Sequence, residues 1–236
     1  MLKHVALVSE SSEIDAAQVG RVAAALQKQV ARDFGPIWQV QATVAAFPAL
    51  HQVPRTHWPI VVRDTIDDPS AAGYHDTEDG RPASLVRYSP DWALTCSHEC
   101  LEMLADPEGN RLIDGPSPVP DQGGVRFLVE VCDPSEDIRF GYTVDGVAVS
   151  DFYTPRFFDP ITRTGERYSF TGAIESPRTV LPGGYLSWVD PGSGRLWQET
   201  WFEGTDPVFV DRGLPDGRSL REFADSELPG ARLSAV

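Results

Sequence analysis

The residues whose types and spacing suit chemistry lie together, in Ser97-His98-Glu99-Cys100-Leu101-Glu102-Met103-Leu104-Ala105-Asp106-Pro107. His98 and Glu102 are four apart, so on a helix both side chains leave one face about one turn apart, the spacing at which two groups grip a single metal ion. Glu99 sits beside the pair, where a carboxylate can take a proton from a metal-bound water. On a wheel of 100° per residue with His98 at zero, Asp91, Glu102, Thr95, Asp106 and Glu99 fall at about 20°, 40°, 60°, 80° and 100°. Leu94, Leu101, Leu104, Cys100, Ala93 and Met103 fill most of the remaining arc, so the helix pairs a broad apolar face with one narrow polar face holding every candidate ligand. The plainer alternative is that this polar face is merely solvated. A Cys96–His98 nucleophilic dyad is excluded, because residues two apart on a helix point to different sides. Cys96 and Cys100 fall on the apolar arc and suit buried structural thiols better.

The elements that must position this segment read from the flanking sequence. Ser89-Pro90-Asp91 opens a helix that runs to Ala105, where Asp106-Pro107 ends it. Before it come a strand at His4–Val8 and a helix of about six turns capped at Ser11 or Ser12, with Val19, Val22, Leu26 and Val30 as its buried stripe. Gly35-Pro36 is expected to stop that helix. Strands follow at Ile37–Phe47, Pro59–Arg63 and Ala83–Tyr88. The small residues of Ala71-Ala72-Gly73-Tyr74 mark a strand that something else approaches closely, and Asp76–Gly80 reads as an acidic turn. That turn lacks the alternating ligands of an EF-hand loop. Beyond Pro116 Gly, Pro and aromatic residues dominate, with strand-like stretches at Val125–Val131, Arg139–Val149 and Tyr185–Val189 and a short helix near Ser219–Ala224. The fold class is therefore α+β: a mixed sheet with a long backing helix and a site-bearing helix, then a loop- and β-rich C-terminal half, divided as 1–115 and 116–236.

Composition bounds the function. The 236 residues carry 20 Lys+Arg against 35 Asp+Glu, a formal net charge of −15, and no stretch supplies a basic patch, so nucleic acid and anionic membrane surfaces are not expected partners. No run approaches the ~20 apolar residues of a membrane span. The segment Met1–Val8 is short and soon acidic for a secretory signal, and the three cysteines, Cys96, Cys100 and Cys132, form no CxxC pair. The expected setting is a reducing cytoplasm. Lys3 and Lys28 are the only lysines among the 20 basic residues, a bias that suggests a GC-rich bacterial genome.

The motif His98-Glu99-x-x-Glu102 resembles the HExxH of zincin metallopeptidases with its second His exchanged for Glu. The layout over roughly residues 1–135 is similar to that family: an early strand, a backing helix, several strands, an edge strand, then the motif helix. The resemblance implies a zincin-like N-terminal subdomain, a C-terminal subdomain completing a cleft, and a peptide or protein substrate laid along the edge strand. Ala71–Tyr74 and Ala83–Tyr88 are the segments for that role. It implies one divalent metal, zinc first; the carboxylate-rich set also suits manganese or calcium. No histidine follows His98, so a downstream ligand must be a carboxylate or Cys132. Glu130, in Glu130-Val131-Cys132-Asp133-Pro134, resembles the downstream Glu of the gluzincin branch, with Asp133 behind it. Asp106 lies on the correct face but ~12 Å along the axis, and His75 is an upstream alternative expected in a turn.

The expected chemistry is metal-dependent peptide hydrolysis with Glu99 as general base and a tyrosine, Tyr142 or Tyr153, on the oxyanion. Trp188, Trp197 and Trp201 are expected in the core more than in a pocket. The competing expectation is a binding or assembly protein, a degenerate zincin whose motif helix is solvated and whose apolar surface lies elsewhere.

Overall fold

The computed structural model describes residues 2–67, 71–78 and 80–226. Asp79, within the expected acidic turn, lies outside them. In chain order the elements are β1 (Lys3–Ser9), α1 (Ala16–Lys28), α2 (Gly35–Trp38), β2 (Ala42–Ala46), β3 (Trp58–Arg63), β4 (Gly73–Glu78), β5 (Arg81–Arg87) and α3 (Trp92–Ala105). They continue with β6 (Leu112–Pro116), β7 (Gly124–Leu128), β8 (Tyr142–Val144), β9 (Val147–Val149), β10 (Tyr185–Val189), β11 (Leu196–Thr200), β12 (Val208–Gly213) and α4 (Leu220–Asp225). The fold is α+β with a mixed sheet. The chain forms two units that interleave along the sequence: the described part of the first is 2–107 with 141–150, and of the second 108–140 with 151–226. Composition alone suggests a single change near residue 116.

In the first unit the sheet order is β2-β1-β3-β5-β4. β1, β2, β3 and β5 run parallel, and β4 pairs antiparallel with β5 as the edge. Val5–Val8 of β1 are fully buried, as expected of a central parallel strand covered on both faces. α1 packs on β1 and β2, α3 on β3, β4 and β5, and the two helices touch each other. β8 and β9 form a hairpin against α3 whose turn residues, Asp145 and Gly146, both have positive φ, as a tight two-residue turn requires.

The first helix differs from expectation at both ends. Asp15, not Ser11 or Ser12, is its cap: the Asp15 side chain accepts from Gln18 N and the Gln18 side chain accepts from Asp15 N, a closed capping box. Gly35-Pro36 does not stop it. The chain passes through a π-helical stretch at Gln29–Phe34 and one further turn to Trp38, and Gln39 in the left-handed region ends it. Pro36 is tolerated because it sits in the first turn of α2, where its missing N–H is not needed. Gly35 is required by space: a Cβ there would lie 2.6 Å from Val40 O and 2.7 Å from Val30 O. Ile37 and Trp38 are consequently helical, and the next strand begins at Ala42.

The second unit is a five-stranded antiparallel sheet, β12-β11-β10-β7-β6. α4 closes it, with Leu220, Phe223 and Ala224 against Leu128, Val189 and Leu196. The expectation at Tyr185–Val189 matches β10, whereas β6, β11 and β12 were not anticipated.

Candidate metal centre

α3 contains neither Gly nor Pro; it begins at Trp92, after Asp91 and two residues later than a cap at Ser89 implies, and it ends where expected, with Asp106 leaving helical geometry at φ −136°. Leu94, Cys96, Cys100, Leu101, Met103 and Leu104 are all buried. The Cys96 and Cys100 thiols are inert structural groups; burial raises both, Cys100 to about 12. The helix departs from the sequence expectation on its polar face. Thr95, Glu99, Glu102 and Asp106 are buried too, Glu102 at 0% exposure, and His98 retains only 13% of its side chain in solvent. This is not a solvated face. A buried carboxylate without a partner costs several kcal/mol, so what these acids meet decides their meaning.

Glu102 and Glu99 each meet an imidazole. His98 Nε2 lies 3.2 Å from Glu102 Oε2 across one turn. His75 Nδ1, from β4, lies 3.5 Å from Glu99 Oε2. His75 is 4% exposed and within the edge strand, not in a turn as expected. Its Nε2 stands 3.2 Å from the Asp106 carbonyl, so the ring meets one oxygen acceptor at each nitrogen, with Nδ1 toward Glu99. Ligating atoms of His75, Glu99 and Glu102 all lie within 4.8 Å of one another. Gly73, on the same face of β4 as His75, makes room for this: a Cβ on it would lie 2.8 Å from Thr95 Cγ2 and 3.2 Å from Glu99 Oε1. Thr95 Oγ1, one turn before Glu99, and Ser84 Oγ, opposite His75 on β5, are buried without a hydrogen-bond partner among the described residues.

A second buried network holds α3 from behind. Ser97 Oγ donates to Gln29 Oε1 at 2.8 Å and accepts from Ser150 N at 2.9 Å, and Gln29 Nε2 donates to Ser150 O at 3.0 Å. The π-helical stretch, α3 and the hairpin are thereby joined by three bonds next to His98. Neither Gln29 nor Ser150 was legible as a site residue; they lie 68 and 53 residues away from Ser97.

The remaining candidates are placed as follows. The Asp106 carbonyl is engaged by His75, and its N–H donates to Glu102 O, closing the helix. Glu130 belongs to the second unit, where it is buried and ion-paired with Arg221 at 2.8 Å; Arg221 also meets Asp225 at 3.3 Å. Asp133, also buried in that unit, starts a single helical turn at Asp133–Ser135. Tyr142 donates to Asp33 Oδ2 at 2.9 Å, and Tyr153 is a core residue stacked on Phe157 at 4.3 Å. Trp188 is fully buried, as expected, while Trp197 and Trp201 are half-buried.

No protein-family model, curated protein or solved structure matches this chain.

Proposed function

We propose that this chain is a metal-dependent hydrolase acting on a peptide bond, with His98 and Glu102 holding the ion and Glu99 transferring the proton. The observation that supports it is the His98 Nε2–Glu102 Oε2 pair, 3.2 Å apart on a buried helix. Two ligands at about 2.0–2.1 Å from a tetrahedral zinc stand about 3.3 Å apart, so the pair fits one ion. An imidazole beside carboxylates suits zinc, and manganese or calcium as harder alternatives. When bound, the ion supplies Lewis acidity to the scissile carbonyl. Glu99 accepts the proton of the attacking water and returns it to the leaving amine. Asp106 is kept as a further ligand proposal. The element order β1-α1-α2-β2-β3-β4-β5-α3, with β4 as an antiparallel edge, supports a zincin-like reading and an extended peptide or protein substrate. No helix among the described residues is long and apolar enough to cross a membrane. Cys96, Cys100 and Cys132 are buried and none is in a disulfide, which supports work in a reducing cytoplasm.

Elemental mass spectrometry on tag-free protein tests this reading. Wild type is expected to hold about one equivalent of metal that His98→Ala loses. Glu99→Gln is expected to keep the metal and lose about a hundredfold or more of kcat on a peptide library. Absence of metal from wild type after incubation with Zn²⁺ or Mn²⁺ overturns it. One observation favours the second reading, a binding or assembly protein: Val208 and Phe209 on the sheet-edge strand β12 are 55% and 44% exposed.

A further inference from the structure

The hydrolase reading asks two carboxylates on one helix turn to do different work, and their ligating atoms are within 4.8 Å of each other. A modest swing of Glu99 would place it on any ion held by Glu102, converting the base into a ligand. β4 opposes that swing. Gly73 and His75 share one face of this strand, and the Glu99 carboxylate is close to both: Oε1 lies 3.2 Å from where a Cβ on Gly73 would stand, and Oε2 3.5 Å from His75 Nδ1. The His75 ring is itself fixed by the Asp106 carbonyl at 3.2 Å, at the end of the same helix.

We propose that His75 is the positioning residue of Glu99: it turns the carboxylate toward β4, where Gly73 leaves room for it, and so keeps Glu99 outside the ligand set of His98 and Glu102. The proposal rests on the hydrolase reading above and adds a division of labour that neither the motif nor the spacing contains. It assigns the edge strand a part in the site besides pairing with substrate.

A double-mutant cycle read on metal affinity tests it without requiring turnover. Zn²⁺ affinity is measured by competition with a chromophoric chelator, and coordination by the visible absorption of the Co²⁺ form, for wild type, His75→Ala, Glu99→Gln and the double variant. In the wild-type background Glu99→Gln is expected to change affinity by less than about threefold and to leave the Co²⁺ spectrum unchanged. In the His75→Ala background Glu99 reaches the ion, so the spectrum shifts, and removing the Glu99 charge there weakens binding by about tenfold or more. His75→Asn, whose amide nitrogen can stand near the position of Nδ1, is expected to restore the wild-type pattern and serves where the alanine variant does not fold. Loss of the ion from His75→Asn or His75→Ala makes His75 a ligand and overturns the proposal. An equal effect of Glu99→Gln in both backgrounds overturns it too. Wild type that takes up no ion ends the hydrolase reading and this inference together.

Discussion

Glu99 and Glu102 are the same residue type one turn apart, yet one faces an imidazole of a neighbouring strand and the other an imidazole of its own helix. Position along the chain made His98 and Glu102 recognisable, since an i,i+4 pair follows from helix geometry alone. Sequence alone puts His75 beside a turn because Asp76, Thr77 and Glu78 have turn composition, whereas β4 runs through them to Glu78. The signal that could have found it was the small-residue stretch before it. If something approaches the backbone at Gly73, the residue two further on shares that face. In the second unit, burial raises Glu199 on β11 to about 7. The folded state therefore holds a proton that the unfolded chain releases near its ordinary 4.5. Stability is expected to fall as pH rises from that value through about 7, and to stay lower above it. Glu199→Gln should remove this decline: thermal unfolding of variant and wild type should agree near pH 5 and differ near pH 8, the variant being more stable by roughly 1–3 kcal/mol. Equal differences at both pH values would count against a proton held at Glu199.

At the scale of elements, two glycines of the first helical run make opposite demands. Gly20 lies inside α1 with no described atom beyond its own helical turn within 4 Å of where a Cβ would stand, whereas the Cβ position of Gly35 meets two backbone carbonyls under 3 Å away. Gly20→Ala is expected to stabilise by about 0.5–1 kcal/mol through helix propensity. Gly35→Ala is expected to destabilise by about 2–3 kcal/mol, because backbone carbonyls do not move aside as a flexible side chain would. Urea unfolding of the two variants reads both signs, and a neutral Gly35→Ala would mean the π-helical turn relaxes freely. The same pair shows what local sequence could convey. Gly-Pro at 35–36 is a stop signal by propensity, but here close packing of the turn against Val40, with Pro36 placed in a first turn, outweighs it. β10 was legible from its run of large residues, whereas β6, with Asp114, Gly115 and Pro116 among its five residues, carries almost no strand propensity and depends on pairing with β7. α3 was legible in extent but not in surroundings, since amphipathicity reports which residues are polar and not what covers them.

For the whole molecule, the net charge of −15 sets a further expectation. Self-repulsion among so many acids weakens the compact state at low ionic strength, so raising NaCl from about 20 to about 300 mM should lift the thermal midpoint by a few degrees. Calorimetry at constant pH reads this, and an unchanged midpoint would mean that local pairs such as Arg195–Asp211 and Arg63–Glu10 already neutralise the strain. The two-unit division was only partly legible, because composition follows sequence order and the first unit does not: its hairpin at 141–150 comes after a stretch of the second. That discontinuity bears on how the molecule is made. Synthesis delivers α3 some forty residues before Ser150, whose backbone N–H and carbonyl are the groups that meet Ser97 and Gln29. A ribosome-bound chain that has emerged only as far as Phe140 has the residues of the motif but not the clasp behind them. Assembly of the site is thus timed by the arrival of a hairpin that contributes no ligand to it.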